Sequence, residues 1–270
     1  MKKLIILLIF ISSSCLLASG FSSRKKSKKK SSKTSFRQRL RKKIMHKNKL
    51  NYKQARRLLF GKIHLENASR NPSITDIYCY QSYSNKDIRS RFKIGKGKIP
   101  DHTVLNAEHV WPKSKFFAKK IKGKYKRHAK PEYQTRYADL HILYPSSSKL
   151  NKARSNYKFG EVLDRDKQTK NYKCSTAQLG HIDVNGKSSR DIFFEPPPQS
   201  KGNVARAMFY FSIRYNREIS HIEEDTLRKW HELDPPDGSE KKRNDFIEEA
   251  QGNRNPFIDD PKLVEEIADF

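Results

Sequence analysis

Between Arg24 and Lys62 the chain carries eighteen lysines and arginines and no acidic residue. Residues 21–35 within and before this stretch are Ser/Lys-rich and hold too little apolar surface to offset the entropy of ordering, so they are expected to be disordered. From Phe36 to about Phe60 the pattern changes: Leu40, Ile44, Ala55, Leu58 and Leu59 recur at three- and four-residue spacing around a break near Asn48–Asn51, which predicts helices. Of the formal charge of +29, two lysines fall in the first twenty residues and eighteen in this stretch, which leaves +9 for the rest. So lopsided an excess suits a polyanionic partner, through counterion release and long-range attraction. A solvated tail that only adds affinity is the alternative for Arg24–Thr34.

The first twenty residues read as a leader. Lys2 and Lys3 precede an apolar run from Leu4 to Phe10, and Leu16-Leu17-Ala18-Ser19-Gly20 offers small residues for cleavage near Gly20. The run is shorter than the roughly 20 residues that span a bilayer, and Ser12 to Ser14 before Cys15 make a poor lipoprotein signal, so no stable membrane anchor is expected. The product would be secreted or periplasmic. Two cysteines remain, Cys79 and Cys174; in an oxidising compartment they can pair, and two buried free thiols are the other reading. They lie too far apart in sequence for a thiolate zinc site.

The organisation expected is residues 1–20 as signal peptide, 21–49 as a basic, largely disordered tail and 50–270 as one catalytic domain of the α+β class. Ile77–Tyr80, Thr103–Leu105 and Asp139–Tyr144 read as short strands. The segment from Pro112 to Ala138 between the last two has ten basic residues against one acid, Glu132, and reads as a long loop suited to a phosphate backbone. Ser147 or Ser148 can cap a helix running through Asn151 to about Tyr157. Val204, Met208, Phe211 and Tyr215 form an apolar stripe within Asn203–Arg217, which is assigned to the core. Helix signals recur at Lys241–Ala250, stopped by Gly252, and at Asp260-Pro261.

One constellation bears chemistry. Glu108-His109, followed by Asn151, supplies a carboxylate, an imidazole and an amide oxygen. A histidine can take a proton from water at neutral pH, and Mg²⁺ prefers oxygen ligands while keeping several waters, so one carboxylate and one amide suffice to hold it. Phosphodiester hydrolysis needs that kit. Neighbours on a regular strand point to opposite faces, so a strand end or a bulge is required for Glu108 and His109 to serve one site.

Asn106-Ala107-Glu108-His109-Val110-Trp111-Pro112-Lys113-Ser114, Asp139-Leu140-His141-Ile142-Leu143-Tyr144-Pro145 and Asn151 to Gly160 resemble the three core motifs of the bacterial endonuclease I family. Lys201 to Tyr210 and Gln251 to Asp259 resemble its C-terminal motifs, so the similarity covers roughly residues 50–262. The resemblance implies helices and short strands around a ββα-metal (His-Me finger) unit. It also implies cleavage of DNA, and often RNA, to 5′-phosphate products with little sequence preference, by a chain expected to act as a monomer. On the matching positions His109 would be the general base, and Glu108 and Asn151 the ligands of one divalent ion, Mg²⁺ in most accounts. The family also uses an arginine near the scissile phosphate; Arg127 and Arg136 are candidates, and Arg154 is a third potential phosphate or transition-state contact. Position 106 is asparagine where some relatives have a second acid. His141 is expected to serve a structural hydrogen bond. Two other classes compete. A secreted basic protein that binds nucleic acid without cutting it would have lost the base or a ligand, and all three survive. A zinc peptidase needs an H-E-x-x-H stretch, which the chain lacks.

Overall fold

Local capping signals start the first helices. Ser35 accepts from the Gln38 N–H while the Gln38 side chain returns to the Ser35 N–H, opening α1 (Phe36–Lys43). Asn51 and Gln54 make the same exchange for α2 (Tyr52–Leu58), which runs into a π-helical turn at Leu59–Ile63. Leu40 and Ile44 are buried, Arg37 donates to Ser212 Oγ, and Asn253 donates to the carbonyl of Ile44. Residues 35–49, assigned to the tail on sequence grounds, are therefore part of the packed unit, Thr34–Phe270. The computed structural model describes residues 35–117, 130–165 and 174–270; the leader and residues 21–34 lie outside them.

Strands β1 (Ser73–Thr75) and β2 (Ser82–Ser84) pair antiparallel. The turn between them holds Ile77–Tyr80, which is not the strand expected: Asp76 Oδ1 accepts from the N–H groups of Tyr78 and Cys79 and folds the chain back. β3 (Leu105–His109) and β4 (Leu143–Ser147) form an antiparallel hairpin, each displaced toward the C-terminus from the strands expected at 103–105 and 139–144. The long connection between them is not all loop. It contains a 3-10 turn at Lys113–Lys115, helix α3 (Pro131–Tyr137) with proline in its first turn, and a second 3-10 turn at Leu140–Ile142 capped by Asp139.

Ser147 caps α4 (Ser148–Arg154), which ends at Ser155 rather than near Tyr157 and lies against both strands of the hairpin. Strand, strand and helix thus follow in the expected order. β5 (Lys158–Phe159), β6 (Asp164–Arg165), β7 (Gln178–His181) and β10 (Phe193–Glu195) make a small mixed sheet in the order β5-β10-β7-β6. A two-residue turn joins β8 (Asp183–Val184) and β9 (Lys187–Ser188) beside it.

The centre is α5 (Pro198–Tyr215), in which every residue from Val204 to Tyr215 is buried. The expected stripe is one face of a helix covered all round. Arg206, fully buried in it, donates to both oxygens of Glu240 and to the Asp234 carbonyl. Helix α6 (His221–Leu233), which the sequence reading did not anticipate, packs on α5, and at Gly202 a side chain would strike the Asp234 carbonyl. α7 (Gly238–Gln251) ends at Gly252, whose φ of +70° suits glycine. α8 (Pro256–Asp259) is capped by Asn255, and the short helix predicted to open at Asp260-Pro261 follows as a 3-10 segment, Pro261–Val264, capped by Asp260. The architecture is α+β, and among the described residues no helix is long and apolar enough to cross a membrane.

Two apolar clusters meet at the β3–β4 hairpin. Leu105, Ala107 and Leu143 belong to one; Val110 and Tyr144 belong to the other. The hairpin is the wall between them.

Candidate active site

β3 and β4 pair one residue to one from Leu105–Ser147 to His109–Leu143, so no bulge intervenes and β3 ends at His109. Glu108 and His109 consequently leave opposite faces of the strand and meet different neighbours. Both are almost fully buried.

Glu108 Oε1 accepts from the Tyr78 hydroxyl at 2.8 Å and from Arg154 Nη1 at 3.0 Å. Arg154 also donates to the carbonyls of His109 (3.2 Å) and Val110 (2.5 Å), and its guanidinium lies 4.5 Å from the Phe159 ring centroid. With 1% of its surface exposed, Arg154 is spent on holding the end of β3. Burial raises the Glu108 pKa, against the charge of Arg154 and the hydrogen bond from Tyr78, which favour the carboxylate. Tyr78 is held by the Asp76 turn and by the disulfide between Cys79 and Cys174, whose Cα atoms are 5.7 Å apart. The bridge closes a loop of 95 residues, for which the chain-entropy model gives about 3 to 5 kcal/mol.

His109 lies in an aromatic sandwich. Its ring stacks on Tyr137 at 5.0 Å and 3°, meets Phe116 edge-on at 5.8 Å, and has Tyr52 at 5.9 Å, which in turn stacks on Tyr137 at 3.9 Å. Nε2 lies 2.9 Å from the Tyr137 carbonyl oxygen. A carbonyl only accepts, so Nε2 carries the proton and Nδ1 the lone pair. Nδ1 is buried and has no hydrogen-bond partner among the described residues. Burial, helped by the charge of Lys113, lowers the His109 pKa to about 3, and the Tyr137 carbonyl opposes this. The imidazole is neutral near pH 7.

That value makes a prediction with a definite sign. The folded-state pKa of His109 lies below the ordinary value near 6.5, so between the two only the unfolded chain takes up this proton. Stability from this group is complete above about pH 6.5 and is lost as the pH falls toward 3. Relative to His109→Gln, whose amide can still donate to Tyr137, wild type should lose about 2 kcal/mol between pH 6.5 and 5. Urea unfolding of both proteins across that range measures the difference; a flat difference would mean that His109 titrates normally.

Asn151 is half-buried on α4, one turn before Arg154 and on the same helix face, and its side chain makes no hydrogen bond among the described residues. The hairpin and α4 thus bring Arg154 to Glu108 at the end of β3, with Asn151 one helical turn earlier on α4. Both side-chain hydrogen bonds of Glu108 fall on Oε1 rather than Oε2. Among the described residues no group of three or more His, Cys, Asp and Glu could hold a metal ion. An all-oxygen set of one carboxylate and one amide fits a hard cation that keeps its waters, such as Mg²⁺.

Arg136 lies on α3 beside the Tyr137 that stacks on His109; it donates to the Phe116 carbonyl and sits over the rings of Phe117 (4.3 Å) and Tyr215 (5.1 Å). Arg127 lies outside the described residues. Asp139 is a buried junction. Its Oδ2 accepts from His46, Tyr210 and Tyr215, and its Oδ1 from the His141 N–H and the Gln251 amide. Burial pushes its pKa up, but the adjoining His46 and these donors hold it well below the usual carboxylate range. His141 Nε2 pairs with the Asn253 carbonyl, which accords with the structural part expected of it. Tyr52, Tyr78, Tyr137 and His46 escaped sequence reasoning, because their partners lie far along the chain and nothing local marks them.

Comparison with known proteins identifies the family. The family described as Endonuclease I matches residues 32–262, and the chain belongs to that family. An extracellular ribonuclease of Bacillus subtilis (strain 168) is 32% identical over 205 residues, covering 68% of this chain and 59% of that protein. An extracellular ribonuclease of Bacillus amyloliquefaciens is 31% identical over 200 residues, 67% of this chain and 58% of its own. Endonuclease-1 of Buchnera aphidicola subsp. Acyrthosiphon pisum is 30% identical over 171 residues, 62% of this chain and 64% of its own. The match spans less than two thirds of the length of each of these relatives.

Proposed function

We propose that the chain is a secreted or periplasmic endonuclease that hydrolyses phosphodiester bonds in DNA and RNA to 5′-phosphate products with the aid of one divalent metal ion. The observation that carries this reading is the His109 imidazole, fixed in one tautomer by the Tyr137 carbonyl and left with an unpartnered Nδ1 lone pair. In this reading Nδ1 takes a proton from the attacking water as the water oxygen bonds to phosphorus and the bond to the 3′ oxygen breaks. Glu108 and Asn151 would hold Mg²⁺, which when bound neutralises charge on the phosphoryl group and lends a water to protonate the departing oxygen. Arg154 and Tyr78 keep the Glu108 carboxylate in place. Membership of the endonuclease I family, and relatives named ribonuclease and endonuclease, support the substrate class. The basic stretch from Arg24 to Lys62 adds long-range attraction to it.

The test is digestion of plasmid DNA and of RNA by the purified protein. Cleavage is expected to stop in excess EDTA and to return with excess Mg²⁺. Cleavage that persists in EDTA would remove the metal from the mechanism. Intact substrates under every divalent ion tried would leave a basic binding protein.

A further inference from the structure

We propose that Arg136, Arg214 and Arg217 form a second phosphate subsite, which grips a non-scissile phosphate of the nucleic-acid strand beside His109; the proposal rests on the nuclease reading above. Arg136 comes from α3 and Arg214 from the last turn of α5, and their guanidinium carbons lie 5.1 and 4.7 Å from the centroid of one ring, Tyr215. The two charges are therefore at most about 10 Å apart, one screening length at about 0.1 M salt. After Asn216, which adopts the left-handed conformation, the Arg217 N–H returns to the Ser212 carbonyl and keeps this third arginine at the same helix end.

Among the described residues, the Glu132 carboxylate on α3 acts on Arg136, and it does so from beyond ion-pair distance. No carboxylate of the described residues lies within ion-pair distance of any of the three, whereas Arg154, Arg206, Arg228 and Arg254 each have at least one. Arg214 is 7% exposed, yet among the described residues its side chain has no hydrogen-bond partner, nor have the buried Nε atoms of all three arginines. Asp139 is engaged by the Tyr215 hydroxyl at 2.7 Å and not by the arginines. Burial, together with the charges of Arg217 and Arg214, lowers the pKa of Arg136. A helix C-terminus favours one cation nearby, which accounts for Arg214 but not for an arginine delivered by a different helix.

Three planar, weakly hydrated donors gathered with no counter-charge at ion-pair distance among the described residues suit an anion with several oxygens, and a phosphodiester is such an anion. The placement agrees. Arg136 is the residue before Tyr137, and the Phe116 carbonyl that it holds belongs to the ring 5.8 Å from His109. A strand with its scissile phosphate at His109 would lay a neighbouring phosphate against the arginines.

The experiment measures binding of a fluorescent oligonucleotide to His109→Gln protein over a range of salt concentrations, which separates affinity from cleavage. Adding Arg214→Gln or Arg217→Gln should reduce the slope of log K against log salt by about 0.7 to 0.9 each. Arg217→Lys should keep the slope, as should Arg254→Gln, whose guanidinium is already held by Asp245, Glu248 and Asp259. In low salt neither glutamine variant should melt below the parent, since each removes a repelling charge. Unchanged slopes in both glutamine variants, with or without lower melting, would overturn the subsite and make the arginines braces of the α5 end. A protein that binds but never cuts would refute the nuclease reading and still let the slopes decide; one that binds no nucleic acid would end both.

Discussion

Replacing His109 with alanine is expected to slow cleavage of DNA and RNA by about 10²- to 10⁴-fold, the usual loss of a general base, while nucleic-acid binding stays near that of wild type. The reason is the division of labour within the ring. Nε2 is committed to the Tyr137 carbonyl, and Nδ1 is the nitrogen left to take a proton. Alanine also leaves space among Tyr52, Phe116 and Tyr137, so His109→Gln is the companion variant. It keeps a donor for Tyr137 and a similar volume but has no basic nitrogen. Both should lose cleavage alike, at saturating substrate and under conditions where both are folded. Cleavage by His109→Gln within about threefold of wild type would assign the base to another residue.

Arg154→Met should destabilise the protein by about 3 to 5 kcal/mol, because removing one member of a buried ion pair strands the other. Three acceptors lose a donor at once: the Glu108 carboxylate and the carbonyls of His109 and Val110. Glu108, whose pKa burial already raises, would lose its main opposing charge and bind a proton more readily, so a metal ion should bind more weakly as well. Urea unfolding reads the first effect and Mg²⁺ titration of activity the second. Combining Arg154→Met with Glu108→Gln should recover part of the stability, since the stranded charge is then gone. Stability of the single variant within about 1 kcal/mol of wild type would mean that the pair contributes little.

What was legible in the sequence was local. The stripe of α5, the Gly252 stop, the helix start at Asp260-Pro261 and the cap at Ser147, one of the two serines expected, each depend on residues within a turn or two, and each is where it was expected. Strand limits were not local: β3 and β4 take their extent from one another across a connection that spacing alone cannot measure, and both lie further along the chain than read. Ile77–Tyr80 has the composition of a strand but the hydrogen bonds of a turn, since Asp76 competes for its N–H groups. The helix in the supposed loop was marked after all, by Pro131 at its first position and Glu132 in its first turn. At the site, Glu108, His109 and Asn151 were visible as residue types. That Glu108 and His109 face different sides of the hairpin, with Arg154 and Tyr78 on one and three aromatic rings on the other, depends on register and packing.

The Asp139 junction ties the first helices of the packed unit to its C-terminal part. It gathers groups from residues 46, 210, 215 and 251, and the bond from Gln251 spans 112 residues. Asp139 directly follows the helix whose Tyr137 carbonyl sets the His109 tautomer. Contacts of such range carry the entropic cost of closing a long loop. A fragment ending before Gln251 would carry Glu108, His109 and Asn151 but lack the Gln251 bond to Asp139.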